Sequence, residues 1–296
     1  MNDVLENLAA SGQRLIQRVS ALLPASEPVD WSETSAAVWR GRDRFVALDD
    51  LDEIALDDLL EIDLQKERIV TNTAQFIAGY PANNALLWGA RGTGKSSLIH
   101  ALLNRYRDQG LRLVEVDKRA LGDIARIVSE LRREPYRFIV VCDDLSFERD
   151  DASYKELKSA LEGSVFRQSE NVLIYATSNR RHLISEFMSD NLGARHHEGE
   201  LHEDEAVEEK ISLSDRFGLW LSFHPFRQDE YLEVVRHWLD RLAHDHGTRC
   251  AWDEDVRKAA LQWALGRGTR NGRMAYYFAC HWIGKSLLED GDAGTR

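Results

Sequence analysis

Short apolar runs alternate with longer stretches in which apolar residues recur every three or four positions. Leu86 to Trp88, Leu111 to Val116, Phe138 to Cys142, Val172 to Ala176 and Leu219 to Phe223 are brief and continuously apolar, the pattern of buried strands. Helices are predicted between them. Ile99, Leu102, Leu103 and Tyr106 share one helical face; so do Leu121, Ile124, Ile127, Val128 and Leu131, and so do Tyr154, Leu157, Leu161 and Val165. An acidic stretch, Leu51 to Asp63, leads into a helix from Leu64 to Ile77, and Pro81 to Asn84 turns the chain into the first strand.

The two ends of the chain read differently from this middle. Leu5, Leu8, Leu15, Ile16, Val19, Leu22 and Leu23 mark an amphipathic helix that Pro24 and Pro28 terminate, so residues 1–50 are predicted to be an N-terminal helical extension packed on its own domain. Beyond Pro225 there is no strand alternation, only three helical patterns, starting at Gln228, Asp253 and Arg270. Residues 51–225 are therefore predicted to form the core and residues 226–296 a small helical lid. Its aromatic residues, including Trp238, Trp252, Trp263, Tyr276, Tyr277, Phe278 and Trp282, are expected to form core rather than a base-stacking surface.

Composition narrows the setting. With 296 residues and 43% hydrophobic content the chain can bury a substantial core. No run of eighteen apolar residues and no basic-then-apolar N-terminus is present, so no membrane span or signal peptide is read and a cytoplasmic location is expected. The net charge of −12 argues against a chain built mainly to coat a polyanion; it gives no indication of DNA binding, although local basic patches remain compatible with it. Cys142, Cys250 and Cys280 lack C-x-x-C spacing and receive no chemical role. His196, His197 and His202, near the acidic stretch Glu198 to Glu209, show no recognisable zinc spacing and read as a solvated loop.

Chemistry concentrates at three strand ends. Gly89, Ala90, Arg91, Gly92, Thr93, Gly94, Lys95 and Ser96, followed by Ser97, fit G-x-x-x-x-G-K-[ST] between a strand and a helix. Such a loop turns backbone N–H groups toward a phosphate, Lys95 reaches the β- and γ-phosphates as a solvent-facing ligand, and Ser96 supplies a hydroxyl for Mg2+. The run ending at Cys142 delivers two adjacent carboxylates: Asp143 suits the hydrated Mg2+ and Asp144 the attacking water. The run ending at Ala176 presents Thr177, Ser178 and Asn179 on the same edge. ATP and Mg2+ are the expected ligands. Further on, Arg216 precedes the fifth run, and Gly266 to Arg273 gathers Arg267, Arg270 and Arg273 at a helix start.

Together, GARGTGKS, FIVVCDD, ATSN, SDRFG and GTRNGR resemble, in order, Walker A, Walker B, sensor 1, the arginine-finger box and the sensor 2 region of the AAA+ ATPases, over about residues 50 to 290. QKERIVTNTAQFI, YATSNRRHL and EKISLSDRFGLW are, more closely, similar to a bacterial AAA+ group described only as a domain of unknown function. The resemblance implies an α/β fold: a five-stranded parallel sheet sandwiched by helices, followed by a helical lid. It places Asn179 at the water or γ-phosphate, Arg273 (with Arg270 the alternative) at the γ-phosphate from the lid, Arg216 on a neighbouring subunit's nucleotide, and Leu59 to Asp63 beside the adenine. It implies a homo-oligomer that hydrolyses ATP to switch or remodel an unknown protein or nucleoprotein client. Two departures stand out. Asp144 replaces the usual Glu, with Glu148 as a second candidate base, and DKRALGD lacks the pore-loop aromatic of polypeptide-threading machines. An alternative is a slow-hydrolysing adaptor or loader acting on a DNA or replication complex. A small-molecule kinase is weaker, because the long lid and the Arg216 box count against it.

Overall fold

The computed structural model describes residues 28–41, 44–146, 157–158, 161, 170–179 and 215–293, with side chains to residue 289. Its spine is a seven-stranded sheet: β1 (Ala36–Trp39), β2 (Phe45–Ala47), β3 (Ala85–Gly89), β4 (Leu111–Val116), β5 (Arg137–Cys142), β6 (Val172–Ser178) and β7 (Leu219–Phe223). They lie in the order β2-β1-β4-β5-β6-β3-β7. Every neighbouring pair is parallel except β1 with β2.

All five predicted strands are present, and the α/β class with parallel central strands holds. The boundary at residue 50 does not describe this structure: residues 36–47, assigned to a helical extension, supply β1 and β2. All four residues of β1 are buried, because it lies inside the sheet between β2 and β4. Four consecutive apolar residues, AAVW, were its signal. The heptad-like leucines of residues 5–23 lie outside the described residues.

Among the described residues, six helices flank or follow the sheet: α1 (Asp63–Ile77), α2 (Lys95–Tyr106), α3 (Ile124–Leu131), α4 (Gln228–Asp245), α5 (Glu254–Gly266) and α6 (Gly272–Ala293). The strict alternation of strand side chains explains the layering. Leu87, Leu113, Ile139, Val141, Leu173 and Tyr175 face one core, with Ile69 and Phe76 of α1 and Leu98 and Leu102 of α2. Leu86, Val114, Val116, Phe138, Val140 and Ile174 face the other, with Ile124 and Ile127 of α3. The first core runs on into the lid through Phe226, Tyr231, Val235 and Phe278. Of the lid aromatics, Phe278 is core and Trp238, Trp252, Trp263 and Trp282 pack partly buried against it, while Tyr276 and Tyr277 are exposed.

Because β3, β5 and β6 are adjacent and parallel, Gly89, Cys142 and Ser178 all end at one edge of the sheet. That edge carries the candidate site, as open parallel sheets place their ligands.

Candidate functional site

The loop between β3 and α2 owes its shape to backbone that side chains would obstruct. Gly89 has φ 131, and a Cβ there would stand 1.9 Å from the carbonyl oxygen of Phe223 on β7. Gly92 has φ 74, and its Cβ would meet the Asn271 side chain at 2.8 Å. Both positions demand glycine.

Lys95 corrects an expectation. It is buried, with 7% exposure, rather than solvent-facing. Its ammonium donates to the carbonyls of Gly89 at 2.9 Å and Ala90 at 2.7 Å, and to Asn179 Oδ1 at 3.3 Å. Burial lowers its pKa, while Asp143 and Asp144 pull it back up and the charges of Arg273 and Arg91 push it down.

Thr177 organises the two aspartates, a role the sequence reading missed. Its hydroxyl donates to Asp143 Oδ1 at 2.5 Å and accepts the backbone N–H of Asp144 at 2.9 Å. Ser96 Oγ donates to the same Asp143 oxygen at 2.7 Å. Asp144 adopts the left-handed region, φ 49, which aspartate tolerates better than most residues. Asn179 Nδ2 donates to its Oδ1, and Arg91 stands 3.6 Å from its Oδ2 in an exposed ion pair that contributes little energy. The bond from the Leu145 N–H to the Thr177 carbonyl, at 2.7 Å, fastens this turn to β6.

The lid meets the loop directly. Asn271, 5% exposed, donates to the Arg91 carbonyl at 2.9 Å and accepts the Met274 N–H at 2.9 Å, and the Arg273 N–H donates to the Gly92 carbonyl at 3.2 Å. Arg273 lines the cleft, whereas Arg270 is outside its lining and gives its carbonyl to the Phe226 N–H at 3.0 Å. The cleft between core and lid measures about 780 Å³, within the usual range for a small-molecule site. Away from the loop its walls are Leu59, Ile62, Val234, Trp238 and Tyr276.

Asp58 fastens that end and was also missed. It is 6% exposed and pairs with Arg241 and, at 3.2 Å, with His237, both on α4. Burial alone would raise its pKa; the Arg241 guanidinium, the Ala55 N–H and His237 together hold it below the usual carboxylate range. Nothing in sequence announces a pairing across so many residues.

Arg216 is exposed and is not among the residues lining the cleft. Leu219 pairs with Ala85, so Arg216 sits at the opposite end of the sheet, roughly 17 Å or one five-residue strand from the loop. Glu148 and the histidines at 196, 197 and 202 lie outside the described residues. Among the described residues, no His/Cys/Asp/Glu group of three or more is placed to hold a metal, and no helix is long and apolar enough to cross a membrane.

The structure of the Aeropyrum pernix ORC1 protein in complex with DNA superposes with a TM-score of 0.52 at 17% identity, covering 77% of this chain and 61% of that one. The Thermotoga maritima RuvB Holliday junction branch migration motor gives a TM-score of 0.49 at 16% identity, covering 76% of this chain and 62% of that one. The Replication factor C large subunit of Ignicoccus hospitalis is 31% identical over 74 residues, which is 24% of this chain and 16% of the relative. The chain thus spans less than two thirds of each of these proteins. The fold is that of the AAA+ P-loop proteins. Residues 32–286 match the family described as "Protein of unknown function (DUF815)", and the chain belongs to that family.

Proposed function

We propose that the chain binds Mg-ATP in the cleft between core and lid and hydrolyses it to switch or remodel a macromolecular partner. One observation carries this reading: Lys95, Ser96, Asp143, Asp144 and Asn179 converge within hydrogen-bond contact at the C-terminal edge of a parallel sheet.

Each group has a task that its surroundings support. Loop N–H groups and Lys95 hold the β- and γ-phosphates, since the cation is already fixed beside the loop carbonyls. Ser96 and Asp143 are oxygen donors in direct contact, the hard ligand chemistry that Mg2+ selects, and they would hold it. When bound, that ion offsets charge on the phosphate oxygens. Asp144 accepts a proton from the attacking water, Asn179 orients that water or the γ-phosphate, and Arg273 reaches the γ-phosphate from the lid. Leu59, Ile62, Trp238 and Tyr276 line the cleft away from the loop and would flank the base. Arg216, remote from its own cleft, acts on a neighbouring subunit's nucleotide in a homo-oligomer.

A second reading has its own observation. The Asp144 carboxylate is held by both Asn179 and Arg91 and is one methylene shorter than the usual Glu, which limits its reach to an attacking water. That favours slow turnover, as in an adaptor or loader acting on a DNA or replication complex, and the similarity to Replication factor C over part of the chain supports it. Phosphate release under multiple turnover, with Mg2+ and with a chelator, tests the first reading. Steady Mg-dependent release is expected; none beyond a single turnover, alone or with DNA, would reject hydrolysis as the working step.

A further inference from the structure

The edge of the sheet that carries the nucleotide loop also carries cations drawn from two segments far apart in sequence. β1 runs parallel to β4 with Trp39 level with Val116, so the β1–β2 turn and the 3-10 helix Lys118–Asp123 leave the sheet side by side. Trp39 Nε1 donates to Asp123 Oδ2 at 2.8 Å, Gly41 (φ 70) turns the chain over the same carboxylate, and Arg126 lies 5.7 Å over the Trp39 ring. These contacts fix Arg40, Arg44, Lys118, Arg119 and Arg126 on one edge, with all four arginines exposed.

Among the described residues, the carboxylates nearby are already engaged. Asp117 caps the Arg119 N–H at 2.9 Å, Asp123 holds the indole, and Glu130 pairs with Arg126 at 3.6 Å. Among the described residues the guanidinium groups of Arg40, Arg44 and Arg119 make no ion pair. Arg227, Arg236, Arg241 and Arg257 of the lid region each have a carboxylate partner. Although the chain carries a net charge of −12, charges farther away than about 8 Å are largely screened at physiological salt, so the local cations decide what binds here.

We infer that this edge binds the phosphate backbone of a nucleic acid duplex. Guanidinium forks match phosphate oxygens; among the described residues the neighbouring Trp31 and Trp39 are buried, at 5% and 1% exposure, and the half-buried Phe45 ring packs edge-on to both, which leaves little aromatic face for unpaired bases. A duplex meets this rigid patch with its charges already in place, whereas an acidic peptide would first have to be ordered at a cost in chain entropy. Cys142 is level with Val116, which sets the Lys118–Arg119 end of the patch about one strand spacing, roughly 5 Å, from the segment bearing Asp143, with Arg40 and Arg44 one and two strands farther out. The bound backbone therefore lies beside the nucleotide site. The inference stands on the patch alone and does not require hydrolysis.

Fluorescence anisotropy with a labelled mixed-sequence duplex of about 20 base pairs, without nucleotide and across about 50 to 200 mM salt, tests it. Arg40→Glu/Arg44→Glu/Arg119→Glu is expected to bind at least about tenfold more weakly, and the slope of log affinity against log salt should fall by about three. The corresponding triple Lys variant should keep the wild-type salt slope and lose less affinity than the Glu variant, because charge is kept while the guanidinium fork is not. Arg236→Glu/Arg257→Glu on the lid should stay within about threefold of wild type, because it leaves the patch intact. No duplex binding by the wild type at the lowest salt, equal binding by the triple Glu variant, or an equal loss from the lid reversals would overturn the inference. So would displacement of the duplex by polyglutamate at matched charge, which would point to a protein partner. Titrating an ATP analogue into the same samples reads the nucleotide site separately.

Discussion

Lys95 shows how a motif names a residue without describing its surroundings. The spacing of Gly89, Gly94 and Lys95 predicts an ammonium beside a bound phosphate, but its burial comes from the loop folding its own carbonyls around it. Truncating Lys95 to alanine would open a gap as well as remove a charge, so Lys95→Met, which keeps the aliphatic stem, is the cleaner variant. Leaving the Gly89 and Ala90 carbonyls without their donor should cost about 1 kcal/mol of stability. Affinity for a fluorescent ATP analogue with Mg2+ should fall at least about tenfold, equivalent to 1.4 kcal/mol. A native circular dichroism spectrum with undiminished affinity would remove Lys95 from the proposed phosphate site. Thr177 was harder to read. A threonine after a strand is usually a cap, and only the parallel β5–β6 pairing makes its hydroxyl bridge the two aspartates.

Among the elements, the central strands were legible because continuous apolar runs have few other solutions, whereas β1 and β2 were too short to stand out beside a long leucine pattern. The coupling of α6 to the loop could not be read, because Asn271 in a basic turn looks like an ordinary helix cap. It is both cap and tie. Asn271→Asp keeps the acceptor for Met274 but sets a carboxylate against the Arg91 carbonyl. Melting should move only a few degrees, since the cap is kept, while Mg-ATP affinity drops about tenfold. Unchanged affinity would show that the lid contact does not support the loop. A second link, between α2 and β4, is the His100–Glu115 pair at 3.4 Å. The hydrogen bond to Glu115 raises the His100 pKa against the opposing effect of burial, helped by the charges of Glu115, Asp52 and Asp143. A raised pKa means the stabilisation is complete below about 6.5 and is lost as pH climbs through the higher folded value. The gap in urea midpoint between wild type and Glu115→Gln should therefore be widest near pH 6 and shrink above neutrality. It corresponds to at most about 1 kcal/mol, because both partners are partly exposed. A gap that widens with pH would reverse the assignment.

For the whole molecule, one chain does not complete the proposed site. Arg216 lies at the far edge of the sheet from its own loop, so a role on γ-phosphate requires a second copy. Arg216→Ala and Lys95→Met proteins should each be inactive alone and regain part of the ATPase activity when mixed, because some interfaces then pair an intact loop with an intact arginine. A wild-type rate for Arg216→Ala would dismiss that role. The basic edge belongs to this scale too: Arg40 and Arg119 become neighbours only through β1–β4 pairing, which is why net charge alone gave no sign of it. That the cleft both binds and hydrolyses Mg-ATP is tested most directly by Asp144→Asn, which keeps the shape of the side chain and its acceptor for Asn179 but cannot take a proton from water. The measurement is Mg-ATP affinity and steady-state phosphate release on the same sample. Affinity within about threefold of wild type with turnover at least about tenfold slower is expected. Wild-type turnover in Asp144→Asn, or a wild type that binds Mg-ATP and never releases phosphate, would contradict it.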